Sequence, residues 1–203
     1  IIIKGPIRRL QAELDGTDSQ PISGLLMLGA FCALELSVRN PGEKPWIDLT
    51  LNWFDRLGIP YQNKNYEHYT MYGNGNIQGF DYSVPGDFSS AAFPLIAAAI
   101  TGSEITLGNM DCSDIQGDKA IITVLESMGA RFEWQKRNIT LKNQTRLKGV
   151  QIDINPLIDA LPILAVAGCF ASGHTELFNG SIARHKESDR IACIAKELRK
   201  MGG

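Results

Sequence analysis

The chain has 203 residues, 44% of them hydrophobic and 21% charged, the ordinary balance of a globular protein with one or two cores. Its 20 Lys and Arg residues are offset by 22 Asp and Glu residues, and the net charge of −2 argues against nucleic acid or an anionic membrane as a partner. Every apolar stretch is shorter than the roughly 20 residues that cross a bilayer, so we expect buried helices and no membrane association.

The hydrophobic pattern predicts the same order of elements three times along the chain. In the first third, a strand, an apolar helix, an amphipathic helix and a β-hairpin are predicted at residues 10–15, 20–36, 46–57 and 61–72. In the middle third, a strand with a turn, an apolar helix, a strand, an amphipathic helix and a hairpin are predicted at residues 80–85, 90–101, 105–107, 118–128 and 131–141. The last third predicts the order without its hairpin, at residues 150–155, 159–171, 175–178 and 188–201.

The three thirds therefore look like copies of one unit. A glycine follows each amphipathic helix at nearly equal intervals, at Gly58, Gly129 and Gly202. The repeated order is βαβαββ, which predicts an α/β (α+β) fold built from similar stacked units rather than a doubly wound sheet. No GxGxxG or GxxxxGK(S/T) loop occurs, which argues against dinucleotide and P-loop nucleotide chemistry.

The three apolar helices are predicted to begin with the same chemistry. A proline falls in or near the first turn, where its missing N–H costs little. A Ser or Asp lies near the N-cap, where its side-chain oxygen accepts a hydrogen bond from a free amide. The prolines are Pro21, Pro94 and Pro162, and the cap residues are Ser19, Ser90 and Asp159.

The four cysteines form no CxxC pair and share no ligand spacing with the three histidines. Because Cys32 and Cys169 lie in strongly apolar runs, we expect buried free thiols in a reducing cytoplasm and no metal site. The chain has no secretory signal and no initiator Met, and it stops just past a helix, so we expect an internal fragment of a longer protein.

Three polar segments open apolar helices. Residues 15–21 and 84–90 are each explained either by a turn with an N-cap or by an anion site, since free amides and the helix dipole attract phosphate. Residues 153–160 place the carboxylate of Asp159 at the mouth of an apolar helix. That carboxylate is either an N-cap or a general base tuned by its apolar surroundings.

A fourth segment, residues 184–190, is a dense run of charged residues. Such runs are usually solvated helix faces. If Ser188 is the N-cap, however, Lys186 and Glu187 project beyond the positive end of the helix and Arg190 emerges from its first turn. This arrangement suits a phosphorylated, carboxylate-bearing pair of substrates, because it offers cations for anions and an acid that can move a proton.

Six phrases along the chain, in this order, resemble the EPSP synthase (3-phosphoshikimate 1-carboxyvinyltransferase) family. They lie at residues 14–20, 44–51, 86–92, 116–118, 159–160 and 186–192. The resemblance implies the enolpyruvyl transferase inside-out α/β barrel, with two globular halves of three βαβαββ subdomains each. About three of the six units would be present: residues 1–83 as the last subdomain of one half, and residues 84–203 as two subdomains of the other, with a hinge near 84–86.

The resemblance also implies the substrates and their ligands. Ser19, Gln20, Asp159 and Lys186 would bind shikimate 3-phosphate, and Gln20 and Arg190 would bind phosphoenolpyruvate. The family's whole protein is expected to be a cytoplasmic monomer without nucleic-acid or membrane partners.

The implied reaction transfers the enolpyruvyl group of phosphoenolpyruvate to the 5-hydroxyl of shikimate 3-phosphate and releases phosphate, without a metal or redox cofactor. Asp159 would be the general base that takes the hydroxyl proton, and Glu187 would donate a proton to the methylene carbon. Other family residues fall outside residues 1–203, so we expect the chain alone to be inactive.

Four positions depart from the family pattern: Asp18, Glu43, Trp46 and Ile182. Asp18 and Glu43 stand where serines are usual, and two acids near a phosphate would repel it. Either these acids point away, or the phosphate is held mainly by Lys186 and by groups outside the chain.

Two other functions are alternatives. One is a relative of UDP-N-acetylglucosamine enolpyruvyl transferase, which uses a cysteine on a mobile loop, and we expect no cysteine in such a loop here. The other is a non-catalytic anion-binding module that holds anions at its helix N-termini.

Overall fold

Two units with separate hydrophobic cores make up the chain, Ile1–Tyr82 and Ser83–Gly203. The computed structural model describes Gly5 and residues 9–142 and 146–203. Helices and strands alternate in both units, so the predicted α/β class is confirmed. The assignment of the two units to different halves of a larger barrel stays a prediction.

The first unit has the predicted βαβαββ order. Its elements are β1 (Arg9–Asp15), α1 (Ser19–Gly29), β2 (Ala33–Arg39), α2 (Lys44–Leu57), β3 (Tyr61–Lys64) and β4 (His68–Met71). The sheet order is β1-β2-β4-β3, with β1 and β2 parallel and the other pairs antiparallel. The parallel pair needs a crossover, which α1 supplies, whereas β3 and β4 need only a tight turn.

The predicted helix over residues 20–36 is wrong in its second half, because α1 ends at Gly29 and β2 begins at Ala33. A continuous apolar run does not by itself distinguish a helix from a buried strand. In β2 the side chains alternate, with Leu34, Leu36 and Val38 buried in the core. Pairing with β1 and β4 therefore decided the structure of this segment.

The second unit contains two further sheets. Its elements are α3 (Phe88–Thr101), β5 (Ile105–Leu107), α4 (Ala120–Ser127), β6 (Phe132–Gln135), β7 (Asn138–Leu141), β8 (Gln151–Asp153), α5 (Leu161–Phe170), β9 (Glu176–Phe178) and α6 (Arg190–Lys200). Short 3₁₀ helices lie at Gly117–Lys119, Asn155–Ala160 and Ser181–Arg184. One sheet has the antiparallel order β5-β7-β6, and the other is the parallel pair β8-β9.

The sheets repeat one pattern. The order β5-β7-β6 corresponds to β2-β4-β3, and the parallel pair β8-β9 corresponds to β1-β2. The strand predicted at residues 80–85 is absent, and this prediction was wrong. Pro85 has no N–H to donate to a ladder. The Gly86 amide donates instead to the Asn109 carbonyl, and the Asn109 side-chain amide donates to the Val84 carbonyl.

The ends of the helices are partly as predicted. Gly58, Gly129 and Gly202 follow the amphipathic helices with φ of 66°, 106° and 88°, which only glycine adopts without strain. The predicted caps Ser19, Ser90 and Ser188 were each wrong, because Asp18, Asp87 and Asp189 are the N-caps. Pro21 and Pro162 lie in the first turn, but Pro94 lies inside α3.

The cysteines are all free thiols, but only Cys32 is buried. The expectation of buried thiols is wrong for Cys112, Cys169 and Cys193, which are exposed. Cys112 lies in the loop after β5, and the expectation that no cysteine serves on a mobile loop, as in the rival transferase, stays a prediction. Within the described residues, no helix is both long enough and apolar enough to cross a bilayer.

Candidate active site

Arg190 is the first residue of α6 and the centre of a charged cluster in the second unit. The Asp189 N-cap fixes the start of this helix, accepting the Ala192 amide at 2.9 Å and Arg184 Nη1 at 2.9 Å. The Arg190 side chain is only 18% exposed. A guanidinium that is largely removed from water needs anionic partners, because losing hydration is costly for a charge.

Two carboxylates supply those partners. Arg190 Nε and Nη2 donate to the two oxygens of Glu187, each at 2.9 Å, and Nη1 donates to Asp159 Oδ1 at 2.5 Å. This pairing lowers the pKa of the exposed Glu187 carboxyl. Glu187 and Asp159 in turn raise the pKa of the Arg190 guanidinium, against the opposing effect of burial. Three of the five guanidinium N–H donors are used in these contacts.

Asp159 is not an N-cap, so that prediction was wrong. It lies in the 3₁₀ helix Asn155–Ala160, and α5 begins at Leu161 with no side-chain cap at Ala160. Asp153 instead accepts the Asn155 amide and the Asn179 side-chain amide, both at 3.0 Å. Asp159 is therefore available for Arg190, and its side chain remains 40% exposed.

A cavity of about 760 Å³ adjoins the cluster. Asp159, Glu187 and Arg190 line it together with Ser89 and Ser90 of α3. Its apolar lining includes Phe93, Pro162 and Ile194. A guanidinium and two carboxylates on one cavity can hold an anion and exchange protons with a bound ligand.

The structure thus brings together three of the predicted site residues, Asp159, Glu187 and Arg190. Lys186 is half-buried in the bend before α6 and does not line this cavity. Ile182, one of the positions that depart from the family pattern, is buried in the hydrophobic core. Within the described residues, no group of three or more His, Cys, Asp or Glu side chains is arranged to hold a metal ion.

Ser19 and Gln20 lie in the first unit, at the start of α1. Ser19 is buried, and its amide and hydroxyl both donate to Glu43 Oε2, at 3.1 and 2.9 Å. The Gln20 amide donates to Asp18 Oδ1 at 2.9 Å, while the Gln20 side chain is exposed. Of the two alternatives for the acids, pointing away does not hold for Glu43, whose buried carboxylate accepts from Ser19.

The start of α3 is also capped by an acidic side chain, Asp87. Asp87 accepts the Ser89 and Ser90 amides at 3.3 and 2.8 Å and the Ser90 hydroxyl at 2.6 Å. Burial raises the pKa of Asp87, but the hydrogen bonds from Ser90 and Ser89 outweigh burial, so the pKa lies below its ordinary value. At residues 15–21 and 84–90, the turn with an N-cap is the alternative that the structure contains.

One buried acid next to the cluster was missed by the sequence analysis. Asp118 is 0% exposed, and burial raises the pKa of its carboxyl to about 6. Residues 116–118 entered the analysis only as a phrase of the resemblance. An acid two residues before α4 is ordinary at a helix start, so the sequence carries no local signal of this burial.

Known proteins resemble the chain over its whole length. The family model described as EPSP synthase (3-phosphoshikimate 1-carboxyvinyltransferase) matches residues 1–203. The 3-phosphoshikimate 1-carboxyvinyltransferase of Acetivibrio thermocellus is 41% identical over 204 positions, covering 100% of this chain and 48% of the relative. That of Chlamydia caviae is 41% identical over 207 positions, covering 98% and 46%. The chain spans about half the length of these curated relatives.

Solved structures show the same likeness. The EPSP synthase of Acinetobacter baumannii is 28% identical, with a TM-score of 0.72 over 95% of this chain and 45% of that one. The enolpyruvyl transferase NikO of Streptomyces tendae has a TM-score of 0.64 over 83% and 43%, and at 16% identity it supports the fold alone. The family model matches the whole length and the solved structures share the fold: the chain belongs to the EPSP synthase (3-phosphoshikimate 1-carboxyvinyltransferase) family.

Proposed function

We propose that this chain forms part of an enzyme that transfers the enolpyruvyl group of phosphoenolpyruvate to the 5-hydroxyl of shikimate 3-phosphate and releases phosphate. The observation that carries the proposal is the Arg190 guanidinium, which joins Asp159 and Glu187 beside one cavity in a chain of this family. A binding site for a phosphorylated carboxylate needs such a cation, and the chemistry needs two groups that move protons.

In the proposed reaction, Asp159 takes the proton of the 5-hydroxyl while the hydroxyl oxygen bonds to C2 of phosphoenolpyruvate. Glu187 supplies the proton that C3 receives, which gives a tetrahedral intermediate. The methyl group then returns one proton to Glu187 while phosphate leaves C2 with the proton held by Asp159, which restores the double bond and both acids. The sum is one enolpyruvyl ether and one phosphate, with no change of oxidation state.

The Arg190 pairing bears on the role of Glu187. Arg190 lowers the pKa of this carboxyl, which holds it ionised before a ligand binds. An anion bound to Arg190 competes with Glu187 for the guanidinium donors and weakens that pairing. Binding of phosphoenolpyruvate would therefore increase the proton affinity of Glu187 and favour its role as a proton donor.

Shikimate 3-phosphate is proposed to contact Ser19, Gln20 and Lys186 as well as Asp159. Because Glu43 already accepts both Ser19 donors, a phosphate at Ser19 must displace this carboxylate. The phosphate is otherwise held by Lys186 and by groups outside the chain. Since the chain spans about half of its relatives, we propose that it does not turn over alone. The cytoplasmic location and the monomeric state of the whole protein stay predictions.

Calorimetric titration of the chain tests these assignments. We expect phosphoenolpyruvate to bind wild type and not Arg190→Ala, and shikimate 3-phosphate to bind more weakly to Lys186→Ala. Inorganic phosphate and UDP-N-acetylglucosamine are the controls. Equal affinity for phosphate and shikimate 3-phosphate would favour the anion-binding module, and preference for UDP-N-acetylglucosamine would favour the other transferase. Phosphate release by the chain alone, with both substrates present, would contradict its expected inactivity.

A further inference from the structure

Asp118 is a buried carboxyl group in the middle of the 3₁₀ helix Gly117–Lys119. It is 0% exposed, and within the described residues neither of its oxygens has a hydrogen-bond partner of normal geometry. A buried carboxylate in this condition destabilises a fold, whereas the protonated acid costs much less. A buried titratable group that lowers the free energy of unfolding is a candidate for a functional role.

The 3₁₀ helix that carries Asp118 packs against α3 and against the 3₁₀ helix Asn155–Ala160, whose Asp159 binds Arg190. The charges that act on Asp118 come from three elements. Asp87 belongs to the cap of α3, Asp159 to the 3₁₀ helix Asn155–Ala160, and Arg190 to α6. On the adjoining α4, the charged residue Glu126 is exposed. The ammonium group of Lys119, next to Asp118 in the chain, donates a hydrogen bond to the Cys112 carbonyl.

Burial, modified by these neighbours, raises the pKa of Asp118 to within reach of neutral pH. Burial is the largest effect and raises its pKa to about 6; the Ser89 hydroxyl lowers it, Asp159 and Asp87 raise it, and Arg190 lowers it. Around Arg190, therefore, the number of negative charges depends on whether Asp118 carries a proton. An anion arriving at Arg190 adds negative charge beside Asp118 and favours its protonated form.

We propose that Asp118 is a positioning residue for an anion site at Arg190, and that it takes up a proton when a phosphate- or carboxylate-bearing ligand binds there. The inference rests on the proposed function in placing an anion on Arg190. Proton and ligand then bind together, because the proton removes a negative charge that would otherwise repel the ligand.

Proton uptake on binding tests the inference directly. Calorimetry of the chain at pH 6.5, in two buffers of different ionisation enthalpy, gives the protons exchanged per ligand. Sulfate is one probe, because it does not titrate in this range, and phosphoenolpyruvate is the other. We expect wild type to take up on the order of half a proton per sulfate and to bind about tenfold more tightly at pH 5 than at pH 8.

The variant Asp118→Asn should lose both the proton uptake and the pH dependence of sulfate binding. Glu126→Gln, an exposed acid on the adjoining helix, is the matched control and should keep both. The phosphate of phosphoenolpyruvate itself exchanges protons in this pH range. For this ligand, the proton uptake of Asp118→Asn is therefore subtracted from that of wild type. Binding with the same proton uptake in both proteins would overturn the inference and leave the proposed function standing. If neither anion binds wild type, both are overturned.

The pH dependence of stability is a second readout that needs no ligand. The Asp118 pKa is raised in the folded chain from 3.8 to about 6, so the folded state binds more protons between these values. Its contribution to the free energy of unfolding therefore falls as pH rises from about 4 to about 6. The melting temperature of Asp118→Asn relative to wild type should rise over this interval. A constant difference would overturn the inference.

Discussion

The starts of α1 in the first unit and α6 in the second both carry residues predicted to bind substrate, but their electrostatics are opposite. At α1, the buried Glu43 carboxylate accepts from the amide and the hydroxyl of Ser19. At α6, the cation Arg190 is held between Asp159 and Glu187 beside a cavity. At α1 the protein itself accepts from both Ser19 donors, whereas at α6 a partly buried guanidinium uses three of its five donors in these contacts.

The difference shows that a polar helix start is not in itself an anion site. Free amides attract phosphate only where no side chain accepts from them first. Glu43 is 24 residues from Ser19 in sequence and Asp159 is 31 residues from Arg190, so tertiary packing chose both partners. In the first unit, packing placed the Glu43 carboxylate against the Ser19 donors. In the second unit, packing placed the Asp159 carboxylate against the Arg190 guanidinium.

Removing the cation should have the largest effect. Arg190→Ala leaves Asp159, Glu187 and the buried Asp118 without it, and we expect phosphoenolpyruvate affinity to fall by about a hundredfold or more. Calorimetry on the chain measures this. Arg190→Lys keeps the charge without the planar fork and should lose less, and Arg199→Ala at the far end of α6 should lose nothing. Equal affinity in Arg190→Ala and wild type would show that no ligand anion uses Arg190.

Neutralising Glu43 in the first unit should increase a ligand affinity rather than decrease it. In Glu43→Gln, Ser19 keeps one acceptor but the charge that repels phosphate is gone, so we expect shikimate 3-phosphate to bind about tenfold more tightly. The same titration measures it. Glu67→Gln removes an exposed acid of the same unit and should change little. An unchanged affinity in Glu43→Gln would argue that Ser19 does not contact the phosphate.

The smallest expected effect concerns the Asp87 cap of α3, which lies next to the second-unit site. Asp87→Ala removes the acceptor of two amides and a hydroxyl, so the free energy of unfolding should fall by about 1 kcal/mol. Because the pKa of Asp87 is lowered on folding, its contribution is present above 3.8 and is lost as the pH falls further. Chemical denaturation of the second unit measures it. Asp87→Asn should retain most of the stability, and equal losses in both variants would contradict capping.

Much of the fold followed from the sequence. The hairpins, the amphipathic helices and their terminal glycines have local signals, because periodicity and positive φ depend on neighbouring residues. The strand Ala33–Arg39 has no such local signal, because its apolar residues fit a helix equally well. Only its pairing with β1 and β4 makes it a strand. The strand expected near Pro85 failed for the converse reason, because alternation alone does not supply a ladder partner.

The candidate site was predicted in part. The charge run before α6 indicated Glu187 and Arg190, and the acid at the mouth of the third apolar helix indicated Asp159 as an N-cap or a general base; the catalytic roles stay predictions. The contact of Arg190 with Asp159 and the burial of Asp118 were not predictable from spacing. Each depends on the packing of helices that are far apart in the sequence. No local sequence pattern specifies how close such helices come in space.

By itself, the sequence determined the repeated α/β unit, the positions of most helices and hairpins, and the family. Those properties depend on local periodicity, on turn chemistry and on residues in a fixed order. Tertiary structure alone decided which carboxylates met which donors: Glu43 with Ser19, Asp159 with Arg190, and Asp118 with no normal partner among the described residues. Charge interactions depend on distance and burial, and only the packed chain sets both.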